Sequence, residues 1–336
     1  MKNKILFAIG IVLVLFVLIY ATTLYSGGRA VDEPEIILSY AENQTADYPT
    51  TLGGYKFAEL VEERSEGRIK VLVKPEAELG SETEVIKQMQ FGGIDFARVS
   101  LAQLYAYLPA LSVLQMPYLY KDSEHMWKVL DGEIGDEFLS GFDSAGLVGL
   151  SWYDAGARNF YSTKPITSLE DIEGMRIRVQ DSQLMKDVIE ALGAVTVTVD
   201  YADVYSALQL GDVEGAENNW SSYVAMEHYE VAKYFTEDQH IRLPEVQVIS
   251  STTWDKLSEE DREMIIECAK ESAIYERKLW VEQAEESKAI ALDKGVILIE
   301  LDEKEKEKFY QATQVVYEEY CEEYMDIINK IATIGE

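Results

Sequence analysis

Cysteine is nearly absent from this chain. Only Cys268 and Cys321 occur in 336 residues, both inside charged stretches that read as helix. Disulfides therefore do not hold the fold together, although one bridge stays open. Histidine is as scarce: His125, His228 and His240 stand singly, with no Cys/His spacing of the kind that ligates zinc. Positive charge is short too, with 30 Lys and Arg against 61 Asp and Glu and a formal net charge of −31. A field of that sign repels nucleic acid and anionic lipid, so no nucleic-acid partner is expected. Enzyme signatures are also missing. There is no G-x-S-x-G elbow, Walker loop, H-E-x-x-H or well-placed dinucleotide fingerprint. Carboxylate pairs such as Glu82 and Glu84 recur throughout so acidic a chain and carry almost no information as general acids or bases. No catalytic residue, metal or cofactor is expected.

Long apolar runs are lacking after the first. Residues 5–21 form an uncharged stretch of 17 behind Lys2 and Lys4, between a signal-peptide core and a full membrane span in length. Gly28-Arg29-Ala30 is a poor cleavage site and no nearby cysteine can carry a lipid. The expectation is a signal peptide or amino-terminal anchor over 1–30, uncleaved or cleaved late, with the remainder outside the cytoplasmic membrane. The first 30 residues hold three cations and no acid, so the exported part is more negative still.

What the chain does contain is ordinary globular material, 47% hydrophobic and 27% charged, with strand and helix signals in alternation. Strands are read at 36–38, 68–73, 94–99, 147–152, 175–179 and 195–199. Helices are read at 52–64, 81–91, 123–139, 182–192 and 201–210, the last two closed by Gly193 and Gly211. Residues 167–170 offer a capping-box spacing. Such alternation predicts an α/β protein with a largely parallel sheet. From Ser258 the texture becomes long charged helix, about 259–291 and again 303–331, with a short strand at 296–300 between them. The first is long enough to bridge two lobes; a coiled-coil arm lacks sustained heptads, and a break near Glu285 stays open.

Within 174–182, GMRIRVQDS, Met175, Ile177 and Val179 alternate with Arg176, Arg178 and Gln180, so a strand buries the first set and presents the second. Open α/β sheets bind ligands at the carboxyl edges of their strands. Asn43, Ser100, Arg158, Arg178 and Asn218 all fall at or just past strand ends. In so acidic a molecule, an anionic ligand must bind where local arginines overcome the general repulsion.

Seven segments, Glu78-Leu-Gly-Ser-Glu82, Gln90-Phe-Gly-Gly-Ile-Asp95, Gln115-Met-Pro-Tyr-Leu119, Gly174-Met-Arg-Ile-Arg-Val179, Ala191-Leu-Gly-Ala194, Val204-Tyr-Ser-Ala-Leu-Gln209 and Gly211-Asp-Val-Glu-Gly-Ala-Glu-Asn218, occur in an order and spacing that covers roughly residues 35–300. The chain carrying them resembles the extracytoplasmic substrate-binding proteins of tripartite ATP-independent periplasmic (TRAP) transporters, the DctP family. The resemblance implies two α/β lobes of periplasmic-binding-protein type, joined by hinge strands and a long helix, closing over an organic acid. On this reading lobe I comprises 31–155 and 244–283, and lobe II 156–243 and 284–336. The implied partners are integral membrane subunits, and nothing is transformed.

By the same resemblance Arg178 grips the ligand carboxylate, Arg158 is a second basic contact, Asn218 a polar contact, and Asn43 and Ser100 contributors from lobe I. Tyr201 stands where the family often sets a ring, and Glu82 is a further candidate. Arg178 suits the task chemically, because a planar guanidinium offers two parallel N–H bonds to a carboxylate. Where many members have Pro after Glu-Asn, this chain runs Glu217-Asn-Asn-Trp-Ser-Ser-Tyr223, and Ala41-Glu-Asn-Gln44 stands near the start. The pairing looks like the subgroup that binds sugar acids such as glucuronate or galacturonate. Gln44, Asn219 and Arg98 add polar groups for several hydroxyls, and Trp220 or Tyr201 could stack on a sugar ring. Arg98 reads two ways, as a contact or as the partner of an acid; Tyr153 either lines the cleft or packs in a hinge strand. A C4-dicarboxylate receptor, a sensor built on the same scaffold and an enzyme acting on a sugar acid remain the rivals.

Overall fold

The structure, a computed structural model, describes residues 33–335; the expected signal or anchor lies outside the described residues. The strands in chain order are β1 (Ile36–Ala41), β2 (Ile69–Lys74), β3 (Phe96–Ser100), β4 (Leu147–Tyr153), β5 (Ala157–Ser162), β6 (Arg176–Val179), β7 (Val195–Thr198), β8 (Gly215–Asn218), β9 (Tyr234–Arg242), β10 (Glu245–Ser250) and β11 (Ile297–Ile299). They form two sheets, β2-β1-β3-β10-β4 and β11-β9-β5-β8-β6-β7. Helices flank both sheets, giving the two α/β lobes that the resemblance implies.

The sheets are mixed rather than largely parallel. β1 runs parallel to β2 and β3, while β10 runs antiparallel to β3 and β4. In the second sheet β6 is parallel to β7 and β8, but β5 is antiparallel to β8 and β9. The cause is the crossing of the chain between sheets. It leaves the first after β4, returns from β9 into β10, and each crossing strand enters against its neighbours' direction. Arg158, Asn159, Asp238 and His240 are buried on these strands, and they interrupt the apolar alternation by which a strand is recognised.

Three further expectations change. The stretch 123–139 is two helices, Ser123–Leu130 and Glu133–Ser140, parted at Asp131 and Gly132. The last helical region divides into Glu303–Ala312, Gln314–Cys321 and Met325–Thr333. The capping box sits one residue later than read, with Ser168 and Asp171 reciprocally bonded around the helix Leu169–Ile172.

The long helix Glu259–Asp293 is continuous through Glu285 over 35 residues, with Ser258 as its cap. At 1.5 Å per residue it runs about 52 Å. Ile265, Cys268 and Ala269 near its start pack on Leu38, Phe57 and Val71 beside the first sheet, and Ala291 near its end joins Val213, Ala216 and Phe235 beside the second. It therefore ties the two sheets together by burial. Midway, Glu276 accepts the backbone N–H of Asp154 (3.0 Å) in the β4–β5 crossing. Gly156 in that crossing has φ +64, and a Cβ there would meet Trp280 Nε1 at 2.9 Å, so this turn requires glycine. Cys268 and Cys321 are buried and free.

Candidate functional site

Because β5 and β10 run against their neighbours, their first residues meet the last residues of the parallel strands. In the first sheet Glu245 of β10 faces Ser100 of β3, beside the chain leaving β1 at Asn43 and Gln44. In the second, Asn159 of β5 is paired with Asn218 of β8, and Arg178 of β6 with Ala216. The two edges oppose each other across a cavity of about 280 Å3, just below the usual range for ligand clefts of about 300–1,000 Å3. Arg98, Arg158 and Arg178 are its only cations among the described residues.

These arginines are almost equally buried, at 2, 4 and 3% exposure, but their surroundings differ. Arg98 is enclosed by acid. Its Nε donates to Glu42 Oε2 (3.0 Å) and Nη2 to Glu42 Oε1 and Asn43 Oδ1, while Nη1 donates to Glu82 Oε1 (2.7 Å) and pairs with Glu245 Oε2 (2.7 Å). Burial pushes the Glu245 carboxyl up to about 8, aided by Glu82 and Glu42 and opposed by Arg98. Burial raises Glu82 as well.

Arg158 is compensated by one residue. Nε and Nη2 grip the Glu217 carboxylate, Nη2 also reaches the Glu217 carbonyl (2.8 Å), and Nη1 donates to Asn218 Oδ1 (3.2 Å). Behind it the charges alternate. Glu217 Oε2 lies 3.6 Å from His240 Nε2, and His240 Nδ1 lies 2.8 Å from Asp238 Oδ2. Burial alone would raise Glu217, yet Arg158 and His240 hold it at about 2; burial would lower His240, yet Asp238 and Glu217 lift it to about 9.

Arg178 has no such partner. Nε donates to the Val199 carbonyl (2.9 Å), and no carboxylate pairs with its guanidinium among the described residues. Burial pulls its pKa down, with Arg158 adding to the effect. A buried cation in this state is costly unless an anion joins it. Unsatisfied polar atoms surround the same space: Gln44 Oε1, Gln180 Oε1 and Tyr201 OH are buried without a hydrogen-bond partner, the last lying beside Gln44 and Ser222.

The cavity thus brings together Asn43, Gln44, Glu82, Arg98, Arg158, Arg178, Tyr201, Asn218 and Asn219. Three sequence candidates do not line it. Ser100 is buried behind the Arg98 cluster, its backbone N–H bonded to Glu82 and its hydroxyl unpaired. Tyr153 packs in the first lobe, its hydroxyl 2.9 Å from Ser272 Oγ on the long helix. Trp220 stacks on Phe235 with ring centroids 3.5 Å apart and donates Nε1 to Glu237. Asn219 lines the cleft and also caps the helix Trp220–Ala225, accepting from Ser222 N–H. Arg176 turns outward to the Gly211 carbonyl (2.9 Å).

Sequence reasoning missed Glu42, Gln180, Ser222 and Glu245. The alternation through Arg176 and Arg178 extends to Gln180, and Glu42 directly precedes Asn43, so both had a readable signal. Glu245 had none, because its strand was not recognised. Tyr48, buried beside Ala155 and Trp280, places its OH 2.9 Å from Ser222 Oγ and 3.4 Å from Asn219 Oδ1, a direct contact between the segment after β1 and the helix Trp220–Ala225.

Comparison with known proteins extends over nearly all of this structure. A family model described as bacterial extracellular solute-binding protein, family 7 (DctP), matches residues 40–323. A solute-binding protein of Chromohalobacter salexigens is 35% identical over 290 residues, 86% of each chain. A TRAP periplasmic solute-binding protein of Pseudomonas putida F1, solved with bound D-glucuronate, superposes with a TM-score of 0.86 at 37% identity, covering 89% of this chain and 98% of that one. A protein of the same description from Bradyrhizobium, solved with D-galacturonate, gives 0.85 at 38% identity, covering 88% and 98%.

Proposed function

The chain belongs to family 7 of the bacterial extracellular solute-binding proteins, the DctP family, and from that premise we propose that it is the extracytoplasmic receptor of a TRAP transporter and that its ligand is a hexuronate such as D-glucuronate or D-galacturonate. One observation carries the proposal: Arg178 is a buried guanidinium that lines a small polar cavity and pairs with no carboxylate among the described residues. A ligand carboxylate supplies the missing charge through two parallel hydrogen bonds, each worth about 1.5–3 kcal/mol. That is a large share of the roughly 8 kcal/mol of a micromolar complex.

The other cavity groups suit the rest of a sugar acid. Asn43, Gln44, Gln180, Asn218 and Tyr201 offer donors and acceptors for hydroxyls. Arg158 lends its one remaining Nη1 N–H rather than net charge, since Glu217 already balances it and its other N–H bonds are taken. Lobe I is read as 31–155 with 244–283 and lobe II as 156–243 with 284–336, a division supported by which strands share a sheet. Hinge closure at the β4–β5 and β9–β10 crossings brings the two edges onto the ligand, which is bound and released unchanged. Residues 1–30 serve as the signal or membrane tether, and the closed form docks on integral membrane subunits.

The test is a thermal-shift screen of hexuronates, aldonates, dicarboxylates and amino acids, followed by calorimetry on the hits. Hexuronates are expected to raise the melting temperature most, with Arg178→Lys weakening them at least 10-fold. A response confined to dicarboxylates overturns the ligand assignment, and wild-type affinity in Arg178→Lys overturns the bidentate grip.

A further inference from the structure

The cavity wall opposite Arg178 carries more acid than base. Arg98 is one cation among Glu42, Glu82 and Glu245. Glu42 is a committed acceptor, since its Oε1 also takes the backbone N–H groups of Asn43 (2.8 Å) and Gln44 (3.0 Å). Glu82 and Glu245 both converge on Nη1 of Arg98, each at 2.7 Å, and both line the cavity. This guanidinium therefore has no charge left for a ligand. Resting on the reading above, that Arg178 takes one carboxylate, we infer that Glu245 and Glu82 set specificity by admitting only an uncharged, hydroxyl-bearing distal end and rejecting a second carboxylate.

The chemistry follows from hydrogen-bond roles. Two carboxyls crowded onto one nitrogen retain a proton at neutral pH, in keeping with the elevation of Glu245 to about 8. A protonated carboxyl donates and an ionised one accepts, and a sugar hydroxyl does both. A ligand carboxylate only accepts, and it meets net negative charge in a buried wall where that repulsion is poorly screened. The charged groups acting most strongly on Glu245 are Arg98 on β3, Glu82 on the helix Glu82–Gln90, Glu42 after β1 and Arg158 on β5. Tyr48 and Glu276 also interact with it, and Glu84, Asp181, Asp200 and Asp203 line the same cavity and add to its negative charge. Among the described residues lining the cavity, Arg158 and Arg178 are the cations besides Arg98; Arg158 acts on Glu245, and Glu217 neutralises it.

The test is calorimetric comparison of galactonate with galactarate, acyclic six-carbon acids that differ by one carboxylate. The wild-type protein is expected to favour galactonate at least 100-fold at pH 7.5, and the ratio is expected to widen from pH 6.5 to pH 9 as the wall loses protons. Glu245→Gln should narrow the ratio at least 10-fold and flatten its pH dependence; Glu82→Gln, altering the same cluster from another element, should narrow it too. Equal wild-type affinities, or a ratio untouched by both variants, overturn the inference. Galacturonate binding in the same titrations separates the two ideas, since its absence refutes the uronate assignment while the matched pair still reports on the wall.

Discussion

Arg98 and Arg178 occupy opposite walls of one cleft, are equally buried, and have opposite electrostatic status. Among the described residues the first is surrounded by three acidic side chains and the second pairs with none. In a chain with twice as many acids as bases, an arginine reaching the interior ordinarily finds an acid, as Arg98 and Arg158 do. Arg178 is the exception: Asp181, Asp200 and Asp203 line the same cavity, yet among the described residues no carboxylate pairs with its guanidinium. Burial alone does not mark a ligand-binding arginine here; burial without an internal counter-ion does.

The largest effect that separates the two walls is expected from Arg178→Ala. Losing two charge-assisted bonds should weaken hexuronate binding by about 100- to 10,000-fold, with the unliganded melting temperature unchanged or raised, since an unpaired buried cation destabilises. Calorimetry and thermal denaturation check both halves. Arg98→Met should do the reverse in the unliganded protein, lowering stability by about 3–5 kcal/mol because it strands buried carboxylates; denaturant titration reads this directly. If Arg178→Ala is the less stable of the two, the contrast fails.

A pH titration of stability sharpens it further. His240 keeps its proton to about 9, against about 6.5 unfolded, so its contribution is complete below pH 6.5 and lost as pH rises through 9. Glu245, raised to about 8 from an unfolded value near 4.3, adds a loss of stability that begins above about pH 4.3 and is complete by about pH 8, so the decline starts on the acid side of the His240 window. Glu217, held at about 2, contributes fully above about pH 4.3 and loses that contribution as pH falls toward 2. The melting temperature should therefore peak near pH 5 and fall on both sides, with His240→Gln flattening the alkaline limb. The smallest effect belongs to Trp220. Trp220→Phe should lower the melting temperature by disturbing its stack on Phe235 while changing hexuronate affinity less than about threefold. A larger loss of affinity would return Trp220 to the site.

Much of this site was legible because parallel strands end at one edge, so Asn43, Arg178 and Asn218 could be grouped from strand ends alone. The long helix was equally plain, since few breakers interrupt 35 residues. The crossing strands were not legible. Buried polar residues on β5 and β9 break their alternation, and with β10 they set both the mixed topology and the position of Glu245. Nor could composition separate Glu42 and Glu245 from the other acids, since what distinguishes them is a shared guanidinium. Trp220 read as a ring that could stack on a sugar and instead stacks on Phe235, while Tyr153, open between cleft and packing, takes the packed alternative against Ser272; both partners come from remote segments.

The most direct measurement is a crystal structure with bound D-galacturonate. The account predicts the ligand carboxylate in bidentate contact with the Arg178 guanidinium and hydroxyls toward Glu82 and Glu245. A sugar held the other way round, with its carboxylate on Arg98 and hydroxyls at Arg178, would contradict it.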